Sequence, residues 1–219
     1  MSTINNSAQA RERATNTLMR LQASYASKGI ALCQAALCGA NEFVAWTHYP
    51  KNDCSDVDTG YEFYYHAHEA ADMPEAEHGH FHLFKRDVSQ PEIFTHLIGI
   101  ALDTKGLPVR LFTTNQWVTG ESLQKATTVQ AYLRDYSFTA KGRLAPIAKW
   151  IQALLILYEE EITSLIRNRD VLIHTHVAAG FKKSTFLEDR SQHCLTACQI
   201  NFLEKLSLPS RTTFYSQEA

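Results

Sequence analysis

Several common catalytic signatures are missing from this sequence. It has no G-x-S-x-G nucleophile elbow, no glycine-rich phosphate-binding loop ending in Gly-Lys, and no G-x-G-x-x-G dinucleotide fingerprint. Serine hydrolysis, NTP hydrolysis and dinucleotide-dependent chemistry therefore have no local support. The chain also lacks internal repeats and low-complexity linkers, so we predict one domain over residues 1–219, with flexible ends at 1–6 and 209–219.

Neither an excess of one charge nor a long apolar run is present. The 21 lysines and arginines nearly balance 23 aspartates and glutamates, which leaves a formal net charge of −2. No basic face is indicated, so we expect neither nucleic acid nor a membrane as partner. The most apolar stretch, 147–158, is too short to span a bilayer, and residues 1–9 lack the apolar core of a secretory signal. We therefore expect a cytoplasmic protein that acts on a small-molecule substrate, and we leave a homodimer open.

Cysteine is too scarce and too irregularly spaced for a disulfide framework. The five cysteines are an odd number, and the pairs Cys33/Cys38 and Cys194/Cys198 lack C-x-x-C spacing. We predict that these side chains are small core residues and not zinc ligands.

The hydrophobic pattern changes its period along the chain. Alternating apolar, aromatic and β-branched residues predict strands over 42–48, 61–68, 78–85, 93–102 and 107–114. Helical spacing predicts helices over 8–26 (with Ser7 as N-cap), 30–38, 121–134 and 143–169. Two segments are ambiguous: 172–178 is a short strand or a frayed helix end, and 192–206 is predicted as helix although 194–200 also suits a strand. The predicted fold class is α+β, a four- to five-stranded antiparallel sheet flanked by N-terminal helices and a C-terminal helical layer.

Histidine is concentrated in one segment. Residues 61–84 hold five of the ten histidines, a pair on one predicted strand and a triplet on the next. Side chains two apart in a strand share a face, so each set points one way. In one antiparallel register His68 lies opposite His78, His66 opposite His80, and Tyr64 opposite His82, with opposed Cβ atoms roughly 4.5–5.5 Å apart.

This spacing predicts a metal site. Imidazole suits zinc, copper, iron and nickel, and an all-histidine set suits zinc or copper. Glu77 would add the two-His-one-carboxylate set that favours non-haem iron. The candidate ligands are His66, His68, His78, His80, His82 and Glu77. Not all five histidines can bind one ion and leave a vacancy, so we predict His66, His68, His80 and one neighbour as ligands, with His78 or His82 outside.

Three further residues are candidates for catalytic, supporting or substrate-binding roles: Tyr64, His96 and Arg110. His96, on the next strand, is a further ligand, a proton relay or a satisfied core histidine. Arg110 alternates with apolar neighbours, and a buried arginine needs an anion. We favour an ion pair with a carboxylate such as Glu121 over a substrate carboxylate. His174 and His176 repeat the spacing of two, and we interpret them as structural or substrate-facing.

The histidine segment also resembles a bacterial family without an established activity. Its core motif, YYHAH…EHGHFH, appears here as 64–68 and 77–82. The resemblance extends over about 48–121 and more faintly to 186–190. It implies that the histidine stretch is the defining motif of the family, and it implies no reaction.

The sequence therefore favours a metal-dependent enzyme, with iron or copper oxidative chemistry preferred to zinc hydrolysis. The first alternative is a haem-binding protein or haem enzyme with a histidine axial ligand and a pocket wall of apolar helices. The second is a non-catalytic metal-binding or sensor module. A structural histidine cluster also stays open, because neutral imidazoles inside a sheet must be hydrogen-bonded, hydrated or metallated.

Overall fold

The computed structural model describes residues 2–40, 42–68, 74 and 76–207. Their six strands form one antiparallel sheet in the order β1-β2-β3-β4-β5-β6. The α+β prediction is confirmed, with six strands in place of four or five. Most of the predicted loop at 69–77 and the predicted flexible end at 209–219 lie outside the described residues. The strands are β1 (Tyr49–Asp56), β2 (Tyr61–His66), β3 (Gly79–Arg86), β4 (Phe94–Leu102), β5 (Pro108–Thr114) and β6 (Cys194–Gln199).

The helices lie before and after the first five strands. They are α1 (Ser2–Ala26), α2 (Leu32–Ala36), α3 (Gln116–Thr119), α4 (Ala126–Arg134), α5 (Ala145–Leu157), α6 (Glu159–Ala178), α7 (Lys183–Leu187) and α8 (Phe202–Ser207), with a short 3-10 helix at Gly142–Leu144. None of those described is both long and apolar enough to cross a membrane.

The two faces of the sheet have different surroundings. Phe63, Phe81 and other side chains of one face are fully buried in the main core, where they meet helical residues such as Trp150 of α5. Side chains at alternate positions of β2 and β3 point to the opposite face. That second face carries His66 and His80, and we call it the histidine face.

The first strand is not where its apolar sequence predicts. The prediction of a strand over 42–48 is wrong, because the first strand is β1, Tyr49–Asp56. Trp46 bends the earlier segment, since its backbone is left-handed with φ 65° and its N–H donates to Ala67 O at 2.8 Å. β1 pairs only with β2, and an edge strand tolerates the polar residues and the proline that a central strand excludes.

Helix limits also differ from the predictions. α1 begins at Ser2 and runs through Ser7, so Ser7 is not its N-cap, and α4 begins only at Ala126. The predicted helix over 143–169 is two helices that meet at Tyr158, whose φ of −107° and ψ of 23° leave the helical region. Three glutamates follow at once, and acidic side chains stabilise a new helix N-terminus there.

The two ambiguous segments are settled by the structure. Residues 172–178 are the last turns of α6, which ends at Ala178. The preferred helix over 192–206 is wrong for its first half, because 194–199 form β6 beside β5. This segment pairs with β5 and extends the sheet, and α8 starts only afterwards.

Candidate metal centre

The pairing of β2 with β3 builds the centre of the histidine face. His66 lies opposite His80 and Tyr64 opposite His82, so this part of the predicted register is confirmed. The pairing ends at His66 and His80, and His68 and His78 lie beyond it. Gly79 allows the strands to come this close, because a Cβ there would lie 2.6 Å from both His66 O and Tyr65 Oη.

Three histidines of this face have the geometry of a ligand set. His66, His80 and His82 each offer one nitrogen, and the three nitrogens lie within 4.8 Å of one another. Their exposed fractions are 9%, 5% and 2%. Burial lowers the pKa of His66 to about 3 and holds the pKa values of His80 and His82 well below the usual range. The three rings are therefore neutral, the form in which imidazole binds metals.

The hydrogen bonds of this triad leave one nitrogen unsatisfied. His66 Nε2 and His80 Nε2 are 2.8 Å apart, so one ring donates to the other. His80 Nδ1 is buried and has no hydrogen-bond partner among the described residues. A buried polar atom without a partner destabilises the fold. A bound ion, or water bound to that ion, would give this nitrogen a partner. The donor set and the unpaired nitrogen both fit a metal ion.

A second row of hydrogen bonds supports His82 from behind. His82 Nδ1 lies 2.9 Å from His96 Nε2, and His96 Nδ1 lies 3.1 Å from Thr114 Oγ1. If His82 Nδ1–H donates to His96, then His96 Nδ1–H donates to the threonine oxygen. His82 Nε2 is then left with a lone pair for an ion, which is the usual support for a ligating histidine.

Aromatic rings enclose the triad. Tyr64 contacts the rings of both His66 and His82, and it stacks on His48 at 3.6 Å. Burial raises the pKa of the Tyr64 phenol well above its usual range, so it stays protonated. On the other side Phe112 lies edge-to-face against His80 and His82. The site is a buried, aromatic enclosure in which electrostatic interactions are strong.

Arg110 and Glu77 form an ion pair that packs against this enclosure. The Arg110 guanidinium binds Glu77 through two hydrogen bonds of 2.5 and 2.9 Å, and it stacks on Phe112 at 4.4 Å. The favoured protein ion pair is present, but its carboxylate is Glu77 and not Glu121. Both carboxylate oxygens of Glu77 accept hydrogen bonds from the arginine, and the converging ligand group consists of His66, His80 and His82.

Glu121, the other candidate partner of Arg110, instead binds the backbone of β4. Its Oε2 accepts the backbone N–H of His96 at 2.8 Å, which fixes the start of β4 next to the site. Burial raises the pKa of Glu121 to about 7, although that hydrogen bond and the charge of Arg169 oppose the rise. The protonated form of this carboxyl is therefore favoured relative to an exposed glutamate.

The remaining predicted histidines are spread more widely. The ring of His68 is close to the triad, 5.0 Å from His66 and 5.1 Å from His80. His78 turns away from it, with Nδ1 2.8 Å from Tyr65 Oη. His176 packs between Phe181 and Phe186 near the end of α6, and His174 is exposed on the same helix.

Two parts of the site escape the sequence analysis. Trp46 stacks on His68 with ring centroids 4.1 Å apart, but it lies in a segment predicted as strand. Thr114 pairs with His96, and it is two residues after Phe112, so alternation along β5 would have placed both on one face. No signal in the sequence marks Trp46, because its position depends on a left-handed backbone.

Comparisons with known proteins bear on the whole of this site. The chain belongs to the family described as a domain of unknown function (DUF6969), whose profile matches residues 12–200. The resemblance to a family without an established activity is thus confirmed, and the match includes every residue of the histidine face named above. The chain matches no curated protein and no solved structure.

Proposed function

We propose that this protein is a metal-dependent enzyme whose ion is held by His66, His80 and His82. The observation that carries the proposal is the convergence of three buried, neutral imidazoles, with nitrogens within 4.8 Å of one another. Three protein ligands leave coordination positions for water or substrate, as catalytic sites require. Three neutral ligands also leave the charge of the ion undiminished, which makes it a strong Lewis acid.

Oxidative chemistry on a small molecule, at copper or iron, is favoured over zinc hydrolysis. Metal-dependent hydrolysis often uses a carboxylate base beside the ion, and the carboxylates near the histidine face are engaged elsewhere. Glu77 is bound by Arg110, Glu62 by Arg86, and Glu121 by a backbone N–H. Tyr64, an oxidisable phenol, contacts two of the three ligand rings instead.

The side chains of this protein have separable roles in such a reaction. His96 and Thr114 hold His82 in the tautomer that presents Nε2. Phe112 excludes water from one side, and the Arg110–Glu77 pair keeps that ring in place. Tyr64 keeps its proton beside the ligands and can supply it to a substrate. A bound copper or iron ion would supply the redox chemistry.

The haem alternative has less support than a single ion. The haem alternative requires the apolar helices to form the wall of a pocket around the histidines. However, α5 packs on the face of the sheet opposite the histidine face. A cavity of about 950 Å³ lies among α1, α4, α5 and α6, and none of the site histidines lines it. The ligand nitrogens of His66, His80 and His82 lie within 4.8 Å of one another, which suits a single small ion.

A non-catalytic metal-binding or sensor module is the second candidate. The observation that favours it is the burial of the triad, because His82 is only 2% exposed. A closed site of this kind would hold its ion without exchangeable water. The enzyme and the module share the same ligands, so they differ in the access of water and substrate to the ion.

Metal analysis of protein purified without a histidine tag tests the proposal. We expect a stoichiometric transition metal in the parent protein, its loss in His80→Ala, and retention in the matched control His174→Ala on the exposed side of α6. Absence of bound metal, together with equal metal affinity of parent and His80→Ala, would refute it. An optical spectrum of the same sample identifies haem, and water-proton relaxation separates an open site from a closed module.

A further inference from the structure

A fourth histidine stands beside the triad at the same distance as its members. The ring of His68 is 5.0 Å from His66 and 5.1 Å from His80. Within the triad, His82 is 5.1 Å from His66 and 4.9 Å from His80. His68 and His82 thus flank the same pair of rings, although the ligand nitrogens converge only in the set that contains His82.

The position of His68 in the chain differs from that of the other three. His66, His80 and His82 lie in the paired part of β2 and β3, and their rings are buried. His68 comes two residues after the end of β2 and is only partly buried. His68 thus lies beyond the β2–β3 ladder, whose pairing ends at His66 and His80.

Trp46 supports His68 from the solvent side. The two rings are stacked at 4.1 Å with an angle of 10° between their planes. This stack holds His68 nearly perpendicular to His66 and His80, at 89° and 87°. Trp46 also donates its N–H to Ala67 O, so the tryptophan is tied to the backbone that carries His68. Its left-handed conformation is unusual for a bulky residue and is typical of functional positions.

We propose that His68 is an exchangeable fourth ligand of the ion, presented by Trp46. This inference rests on the proposed metal site and adds a means of opening it. With His68 on the ion, four imidazoles close the coordination sphere and protect a metal in its resting state. An incoming small molecule displaces His68, and the ring withdraws together with Trp46, which is 57% exposed. The coordination position that chemistry needs is then free, while three ligands keep the ion in place.

Copper(II) is the probe for this inference, added to the full-length, tag-free chain. Electron paramagnetic resonance counts the coordinated nitrogens, and chelator competition measures affinity. We expect the spectrum of His68→Ala to show one nitrogen fewer than the parent, and its affinity to fall on the order of 10-fold. Azide should bind to the copper of His68→Ala at a lower concentration, because a position is open. His174→Ala should match the parent throughout.

Fluorescence gives a second measurement that needs no change at His68. Copper(II) quenches nearby tryptophans, so the fraction quenched in the parent should fall sharply in Trp46→Phe. Retention of copper by His68→Ala with the parent's nitrogen count and azide affinity would overturn the inference and leave the triad intact. A parent protein that binds no copper would overturn both this inference and the proposed function. The two failures are therefore distinguishable.

Discussion

Glu121 should make the stability of the metal-free protein depend on pH in a characteristic way. Its carboxyl is 2% exposed, and burial raises its pKa from 4.5 to about 7. Each pKa unit corresponds to about 1.4 kcal/mol, so ionising this group in the folded state destabilises it by roughly 3 kcal/mol. Because the folded protein binds the proton more tightly than the unfolded chain, stability falls as pH rises from about 4.5 to about 7.

The substitution Glu121→Gln isolates this effect. Glutamine keeps an oxygen for the His96 N–H but does not ionise, so its stability relative to the parent should rise by about 3 kcal/mol over the same range of pH. The difference between variant and parent matters, because the lowered pKa values of His66 and His96 act in the opposite direction in both proteins. Their contribution to stability grows as pH rises from about 3 to about 6.5.

Urea unfolding with a chelator present, at several values from about pH 5 to about pH 8, measures this difference. Glu92→Gln is the matched control, because it makes the same substitution at an exposed position. A difference between Glu121→Gln and the parent that stays constant with pH would refute the reasoning. It would mean that Glu121 is ionised in the folded protein at little cost, with Arg169 compensating its charge.

Three other outcomes are expected. His96→Ala should weaken metal binding by roughly 10- to 100-fold in chelator competition, because His82 loses its hydrogen-bond partner. Gly99→Ala should lower the free energy of unfolding in urea by about 1–3 kcal/mol, since the new methyl group overlaps the Phe112 ring. Metal at about 100 times its Kd should raise that free energy by about 2.7 kcal/mol in the parent and not in His80→Ala.

Each of these outcomes has a clear contrary result. Parent-like affinity in His96→Ala would show that the His82–His96 hydrogen bond does not support a ligand. Parent-like stability of Gly99→Ala would show that Phe112 moves freely and does not close the site. Equal stabilisation of parent and His80→Ala by metal would place the binding site elsewhere in the chain.

The central hairpin was predictable because strand alternation is a strict local rule. A period of two puts His80 and His82 on one face, and the pairing of His66 with His80 and Tyr64 with His82 follows from the register. The edges of the sheet were less predictable. The polar β1 and the ambiguous β6 are strands because the neighbouring strand supplies their hydrogen bonds, and their own side chains contribute little to that choice.

The partners of charged residues were also beyond sequence reasoning. A buried arginine is generally paired with an anion, and Glu77 and Glu121 were both candidate partners of Arg110. The rule cannot choose between them, because the choice depends on how the segment before β3 approaches β5. Glu77 reaches Arg110 from that segment with both oxygens. The same guanidinium stacks on Phe112, so one ion pair links Glu77 to the aromatic wall of the site.

A single irregularity in β4 decides whether the triad has its support. His82 lies opposite Gly99 and Leu83 opposite Ile98, so regular pairing would set Phe84 against Leu97 and turn His96 into the core. The register instead shifts, and Phe84 lies opposite His96. The extra residue of this bulge reverses the alternation beyond it, so Leu97 stays in the core while His96 faces His82. A bulge leaves no period in the sequence. The regular alternation of β2 and β3 therefore predicts the shared face of the ligand histidines. The position of their supporting histidine instead depends on a break in the alternation of β4.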